Sequence, residues 1–334
     1  MKTVYFIALL TVIGLAACRD DARQQTATPP PFEIILRQEW IPNSNYVGAV
    51  LAARDFAKKR NIRIAIQPGT ENVDPIKLLL AGQATVADVG GDKVLLEAAQ
   101  GADLVVIGVL NRQSPVCFIA KANKNVRSPK DFEGKRVGVL PGTATELVYR
   151  TLVLQQKLNK KLLREQNVPF DLNTFLLDQY DIRPAFIYDE PVSLELEKVP
   201  YTLIEPRHYN VSFLGTVYVT SRAVFTKHPD ALAAFVAAVA DGWKAALKYP
   251  DQAIDALATQ FKDIDKKREL LSLKKAAPYF QGSDGRVLHS DEADWRGTVQ
   301  ALKDLGELKN DVDLSRLVHD GFLRKYEDSL ATRK

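Results

Sequence analysis

From about residue 33 onward, short aliphatic runs alternate with stretches whose apolar positions recur at helical spacing. No other feature narrows the fold as far, because strands and helices in alternation pack as a sheet covered by its crossover helices. Ile34-Ile35-Leu36 predicts a strand leading to Trp40, and Tyr46 to Lys59 a helix carrying Val47, Val50 and Leu51 on one face. Ile62 to Ile66 is the next strand, Pro75 to Leu80 a short helix, Ala84 to Val89 a strand and Lys93 to Gln100 a helix. Leu104 to Leu110 is apolar throughout and suits a strand buried on both faces. The expected fold class is α/β with a mostly parallel sheet.

A second unit follows. Val116 to Ala120 predicts a buried strand, where Cys117 is core filler because nothing nearby would lower its pKa. Ser128-Pro129-Lys130-Asp131 opens a helical turn, Arg136 to Leu140 is a strand and Thr143 to Lys157 a helix. Pro184 to Tyr188 is another strand, and Leu214 to Thr220 crosses back. Asp230 to Lys248 forms a helix with Leu232, Phe235, Val236, Val239, Trp243 and Leu247 on one face, which assigns Trp243 to packing.

The N-terminus has the layout of a secretory signal: one positive charge at Lys2, an apolar run from Val4 to Ala17, then Cys18. That run is too short to span a bilayer well. Its ending, Leu15-Ala16-Ala17-Cys18, resembles a bacterial lipobox, in which Cys18 is lipidated and begins the mature protein. The alternative is an unlipidated signal cut near Ala17, and either way the chain works outside the cytoplasm. Residues 18–32 are polar and end in Pro29-Pro30-Pro31, which suits a tether and not a core. Arg19 leaves anchoring at an inner or an outer membrane open. The formal net charge is +4 with both signs mixed along the chain, so no basic block marks a nucleic-acid surface. With Cys117 the only other cysteine, no internal disulfide is expected.

In open α/β sheets, ligands sit beyond the carboxyl ends of strands. Four loops qualify. Trp40-Ile41-Pro42-Asn43-Ser44-Asn45-Tyr46 combines aromatics and amides, although Asn45 or Ser44 capping a helix over a buried Trp40 explains it too. Val89-Gly90-Gly91-Asp92 brings backbone N–H groups close to a guest, or is a bare tight turn. In Leu140-Pro141-Gly142-Thr143-Ala144-Thr145-Glu146, Thr143 and Glu146 form a capping box. The fourth loop is Tyr188-Asp189-Glu190-Pro191, and Gln113 is a further ligand-binding candidate. Asp92, Glu146, Asp189 and Glu190 oppose an anionic guest, Arg37 and Arg112 notwithstanding. Trp40, Tyr46 and Tyr188 supply flat faces, so a small aromatic heterocycle is the expected ligand.

These segments resemble a known family. Glu39-Trp40-Ile41-Pro42-Asn43, Leu80-Ala81-Gly82-Gln83-Ala84, the run Ser128 to Val139, and Asp241-Gly242-Trp243-Lys244-Ala245-Ala246 with Tyr249-Pro250 carry the likeness. Together they are similar to the substrate-binding proteins of ABC importers for thiamine-pyrimidine precursors, nitrate, sulfonates and related solutes. The resemblance implies a type II periplasmic-binding-protein-like fold, with two α/β lobes joined by two crossover strands around a ligand cleft. Residues 33–115 and 216–334 would form one lobe and 116–215 the other. It implies hinge closure and delivery to permease and ATPase subunits. It also implies that Trp40 stacks, Asn43 hydrogen-bonds, and Glu190 with Tyr188 closes the pocket. The thiamine-pyrimidine branch carries histidine where this chain has Tyr46.

An enzyme is the competing class, since a related pyrimidine synthase shares the fold. It relies on a cysteine-rich motif, which this chain lacks. His208, His228, His289 and His319 show no zinc-type spacing, and no nucleophile elbow or phosphate loop appears. No catalytic residue, cofactor or metal is expected, and the chain is expected to work as a monomer. A sensory lipoprotein of the same fold is the third possibility.

Overall fold

The computed structural model describes residues 30–332, apart from 71 and 283. The expected signal, Cys18 and the tether as far as residue 29 lie outside the described residues. Among the described residues, ten strands form two five-stranded sheets. In chain order they are β1 (Phe32–Arg37), β2 (Ile62–Gln67), β3 (Val86–Gly90), β4 (Leu104–Val109), β5 (Val116–Lys121), β6 (Arg136–Val139), β7 (Arg164–Asn167), β8 (Ile182–Phe186), β9 (Tyr201–Ile204) and β10 (Thr216–Ser221). The first sheet runs β2-β1-β3-β10-β4 and the second β7-β6-β8-β5-β9.

Both sheets are mixed but mostly parallel in strand direction, as expected, with four of the five strands in each running one way and one running against them. β1 pairs in parallel with β2 and β3, and β6 with β7 and β8. The departure comes from the two strands that follow a passage between sheets. β5 enters the second sheet antiparallel to β8 and β9, and β10 returns to the first antiparallel to β3 and β4. A run of apolar residues does not encode the direction from which a strand arrives. β7, Arg-Glu-Gln-Asn in sequence, has no apolar alternation and sits at a sheet edge, where pairing with β6 alone defines it.

The helix Pro229–Lys248 lies over the first sheet with Trp243 fully buried. Trp243 packs on Phe280 at 4.2 Å and donates its indole N–H to the Tyr218 hydroxyl at 3.4 Å. Two glycines permit this crossing. A Cβ at Gly242 would strike the Gly48 carbonyl, and one at Gly48 would strike the Trp243 ring. Cys117 is also completely buried, and burial pushes its thiol well above the ordinary range. That is the environment of an inert packing cysteine. Among the described residues, no helix is long and apolar enough to cross a membrane.

Candidate functional site

The parallel strands β1 and β3 are neighbours, and the chain leaves their carboxyl ends into the 38–46 loop and the helix Gly91–Ala99. The loop is self-braced. Asn43 is the cap: its Oδ1 accepts the Asn45 N–H at 2.9 Å, and its Nδ2 donates to the Ile41 carbonyl at 3.2 Å. Capping thus falls to Asn43 and not to Ser44 or Asn45. Tyr46 is buried, and its hydroxyl accepts the Trp40 N–H at 3.0 Å, folding the loop back on itself. Trp40 is half-buried, and its ring lies 5.5 Å from that of Phe170, in the segment between β7 and β8. This aromatic pair joins the first sheet's loops to the second's.

Carboxyl groups gather beside it. Glu39 Oε2 accepts the Gly90 N–H at 3.2 Å, and Lys93 lies 3.9 Å from Glu39 and 3.3 Å from Asp74. Burial pushes Glu39 up to about 7, with Asp92 and Asp74 adding and Lys93 opposing. Burial likewise raises Asp92, at the start of the helix, and lifts Asp88 well above the carboxylate range. Asp88 Oδ1 accepts the Glu39 N–H at 3.1 Å. Burial raises the Tyr46 hydroxyl strongly, and the charges of Asp88 and Glu39 add to it.

From the second sheet, Tyr188 follows β8, stacks on Phe186 at 5.7 Å and packs against the cores of both sheets. Its hydroxyl is raised by burial and by Asp189, Glu190 and Glu39, the last of these from the first sheet. Glu190 is engaged locally: it accepts the Phe186 N–H at 3.0 Å and holds Arg183 at 3.2 Å. Burial and Asp189 push its carboxyl up, with Arg183 opposing. Arg183 is itself completely buried and donates to the Tyr180 hydroxyl at 2.8 Å, the Pro169 carbonyl at 3.0 Å and the Phe170 carbonyl. It therefore positions Phe170. Arg268 pairs with Asp189 and, at 2.7 Å, with Glu269, whose carboxylate accepts the Ser44 N–H at 2.7 Å. That chain of contacts ties the Trp40 loop to the Tyr188 loop.

The structure thus groups Trp40, Asn43, Asn45, Tyr46, Gly90, Asp92, Tyr188 and Glu190. Gln113 falls elsewhere, 3.4 Å from Arg207 at the edge of cavities of about 310 and 330 Å³. Thr143 and Thr145 share a 2.7 Å hydrogen bond, and Thr143 lines a groove of about 670 Å³ with Leu96 and Leu305. The expected Thr143–Glu146 capping box does not form. The Thr143 hydroxyl turns back to the Leu140 carbonyl at 2.7 Å, and Glu146 takes the Gly142 N–H at 2.8 Å instead. Sequence reasoning missed Asp88, Phe170 and Arg183 as site residues. A lone carboxylate inside the apolar strand Val86-Ala87-Asp88-Val89 was the available signal for the first; the others depend on tertiary contact.

Residues 43–253 match the family model described as NMT1/THI5 like. The chain belongs to that family. A formylaminopyrimidine-binding protein from Halalkalibacterium halodurans is 25% identical over 268 residues, 78% of this chain and 79% of that one. Among solved structures, the periplasmic aliphatic sulphonate binding protein SsuA from Escherichia coli aligns with a TM-score of 0.69 at 17% identity, covering 88% of this chain and 93% of that one. The desulfurization enzyme DSZB aligns with a TM-score of 0.61 at 12% identity, covering 89% of this chain and 99% of that one. The NMT1/THI5-like chain therefore has the periplasmic binding protein fold, on which binding proteins and at least one enzyme are built.

Proposed function

We propose that this chain is the extracytoplasmic solute-binding receptor of an ABC importer, taking a small aromatic heterocycle such as a thiamine-pyrimidine precursor or a flavin-like compound. The observation that carries the reading is the placing of Trp40, Tyr46, Tyr188 and Phe170 around Glu39, Asp88 and Asp92. Flat apolar faces bind the ring, and buried carboxyls favour a neutral or cationic guest while opposing an anion. The formylaminopyrimidine-binding relative agrees with that chemistry. In this reading residues 33–115 with 216–334 form one lobe, 116–215 form the other, and the two close on the ligand. Cys18 carries the lipid that holds the receptor at the cell envelope, where it works as a monomer and passes its ligand to permease and ATPase subunits.

Calorimetry with a formylaminopyrimidine, followed by mass spectrometry of the recovered ligand, tests it. One-to-one binding with the ligand returned intact supports a receptor. Conversion of the ligand supports an enzyme on the same fold.

A further inference from the structure

The helix Lys266–Phe280 follows β10 in the chain, yet it grips both halves of the molecule. Leu273, Ala276 and Phe280 form one stripe of it and pack into the core that holds Trp243. Lys275 and Tyr279 follow Arg268 by seven and eleven residues. At 3.6 residues per turn these three share a second, neighbouring stripe. Each meets a residue of the 116–215 segment. Arg268 pairs with Asp189, Lys275 Nζ lies 2.7 Å from Glu195, and the Tyr279 hydroxyl donates to Glu205 at 2.7 Å. The Tyr279 ring also packs into the core around Cys117 and Leu194, with the Arg207 guanidinium 4.7 Å above it.

The two ends of that stripe differ. At the carboxyl end the Tyr279 carbonyl accepts from Asn111 Nδ2 at 3.4 Å, and Asn111 stands on the passage from β4 to β5. Both residues are buried. At the amino end, about 16 Å away along the helix, Arg268 and Asp189 are each only partly buried. Arg268 also holds Glu269, whose carboxylate takes the Ser44 N–H, so this end sits at the Tyr188 and Trp40 loops. A buried ring does not release readily. Charge pairs in contact with water do, because solvent and salt ions replace each partner at little cost.

We propose that the helix Lys266–Phe280 is a strap across the two lobes, pivoting at Tyr279 and latched by Arg268 and Lys275, so that salt-sensitive charge pairs set how far the ligand-free cleft opens. The inference rests on the two-lobe reading above and not on the identity of the ligand. Two crossovers alone leave the lobes free to hinge, and a helix fastened to both resists that motion. Pairs of this exposure hold the lobes together without locking them, so the open form stays within reach of thermal motion. Opening starts at the Arg268 end, because the Tyr279 end is buried beside the crossover.

Small-angle X-ray scattering on the full, ligand-free chain is the test, with salt raised from about 0.01 M to about 1 M, over which the screening length falls from about 30 Å to about 3 Å. The wild-type radius of gyration is expected to rise with salt. The double variant Asp189→Asn with Lys275→Gln should have the larger radius already at low salt and respond little to more. Lys266→Gln is the control, since Lys266 pairs with Asp255 and does not reach the 116–215 segment. It should behave as the wild type. Melting temperature checks that each variant folds, and the wild-type salt series decides the matter should the double variant fail to. A wild-type radius indifferent to salt, or a double variant that responds to salt as the wild type does, overturns the inference. The receptor reading is then untouched, because calorimetry with the ligand tests it separately.

Discussion

The Trp40 and Phe170 rings meet at 5.5 Å with their planes inclined by 45°, one from the loop after β1 and the other from the segment before β8. Each sheet therefore supplies one side of an aromatic contact, and a flat ligand entering there would replace ring-on-ring packing with packing on itself. Trp40→Ala should lower affinity for a heterocyclic ligand by at least about tenfold. The fold should survive, because Trp40 is only half-buried. Titration calorimetry beside a thermal melt separates these two effects, and an unaltered dissociation constant would remove Trp40 from the site.

Arg183 gives a prediction about stability and not about affinity alone. It is fully buried, and Glu190 is its carboxylate partner. Removing one member of such a pair leaves an uncompensated charge, at a cost of about 3–5 kcal/mol. Glu190→Ala should therefore melt well below the wild type in chemical denaturation. A variant of wild-type stability would mean that the Tyr180 hydroxyl and the Pro169 and Phe170 carbonyls suffice to hold Arg183.

The glycine crossing is a second test of the fold. Gly242→Ala places a methyl group against the Gly48 carbonyl. Overpacking of this kind costs about 1–3 kcal/mol, so the variant should show a lower denaturation midpoint with an unchanged denaturant slope.

Much of this was legible in the sequence. The alternation of elements located most strands, and the apolar stripe of the helix Pro229–Lys248 placed Trp243 in the core. Trp40 and Tyr46 were marked by lying between a strand and a helix. Three things were not legible. The antiparallel entry of β5 and β10 depends on the path of the chain between sheets. Phe170 and Arg183 lie in a stretch without periodicity, and only tertiary contact gives them roles. Thr143 and Glu146 had capping-box spacing, but the Leu140 carbonyl competed for the hydroxyl and the Gly142 N–H for the carboxylate.

Glu39 predicts a pH dependence. Partial burial and the neighbouring carboxylates push its carboxyl up to about 7 from an ordinary value of 4.5, so between those limits the folded state holds more protons than the unfolded one. Stability from this group is full below pH 4.5 and is lost as pH rises to about 7. Asp88, Asp92 and Glu190 are raised as well and act in the same direction. Glu39→Gln should therefore shrink the fall in melting temperature between pH 4.5 and 7. An identical pH profile in that variant would show that the carboxyl titrates normally.

The central claim is that the proposed site around Trp40 and Tyr188 selects a neutral or cationic heterocycle over an anion. A thermal-shift panel on the purified chain tests it most directly, with aminopyrimidines and flavins on one side and alkanesulfonates, nitrate and bicarbonate on the other. A ligand at a hundred times its dissociation constant adds about 2.7 kcal/mol of stability, enough for a clear rise in melting temperature. The account predicts that rise with a heterocycle and none with the anions. A rise with the anions alone would contradict it.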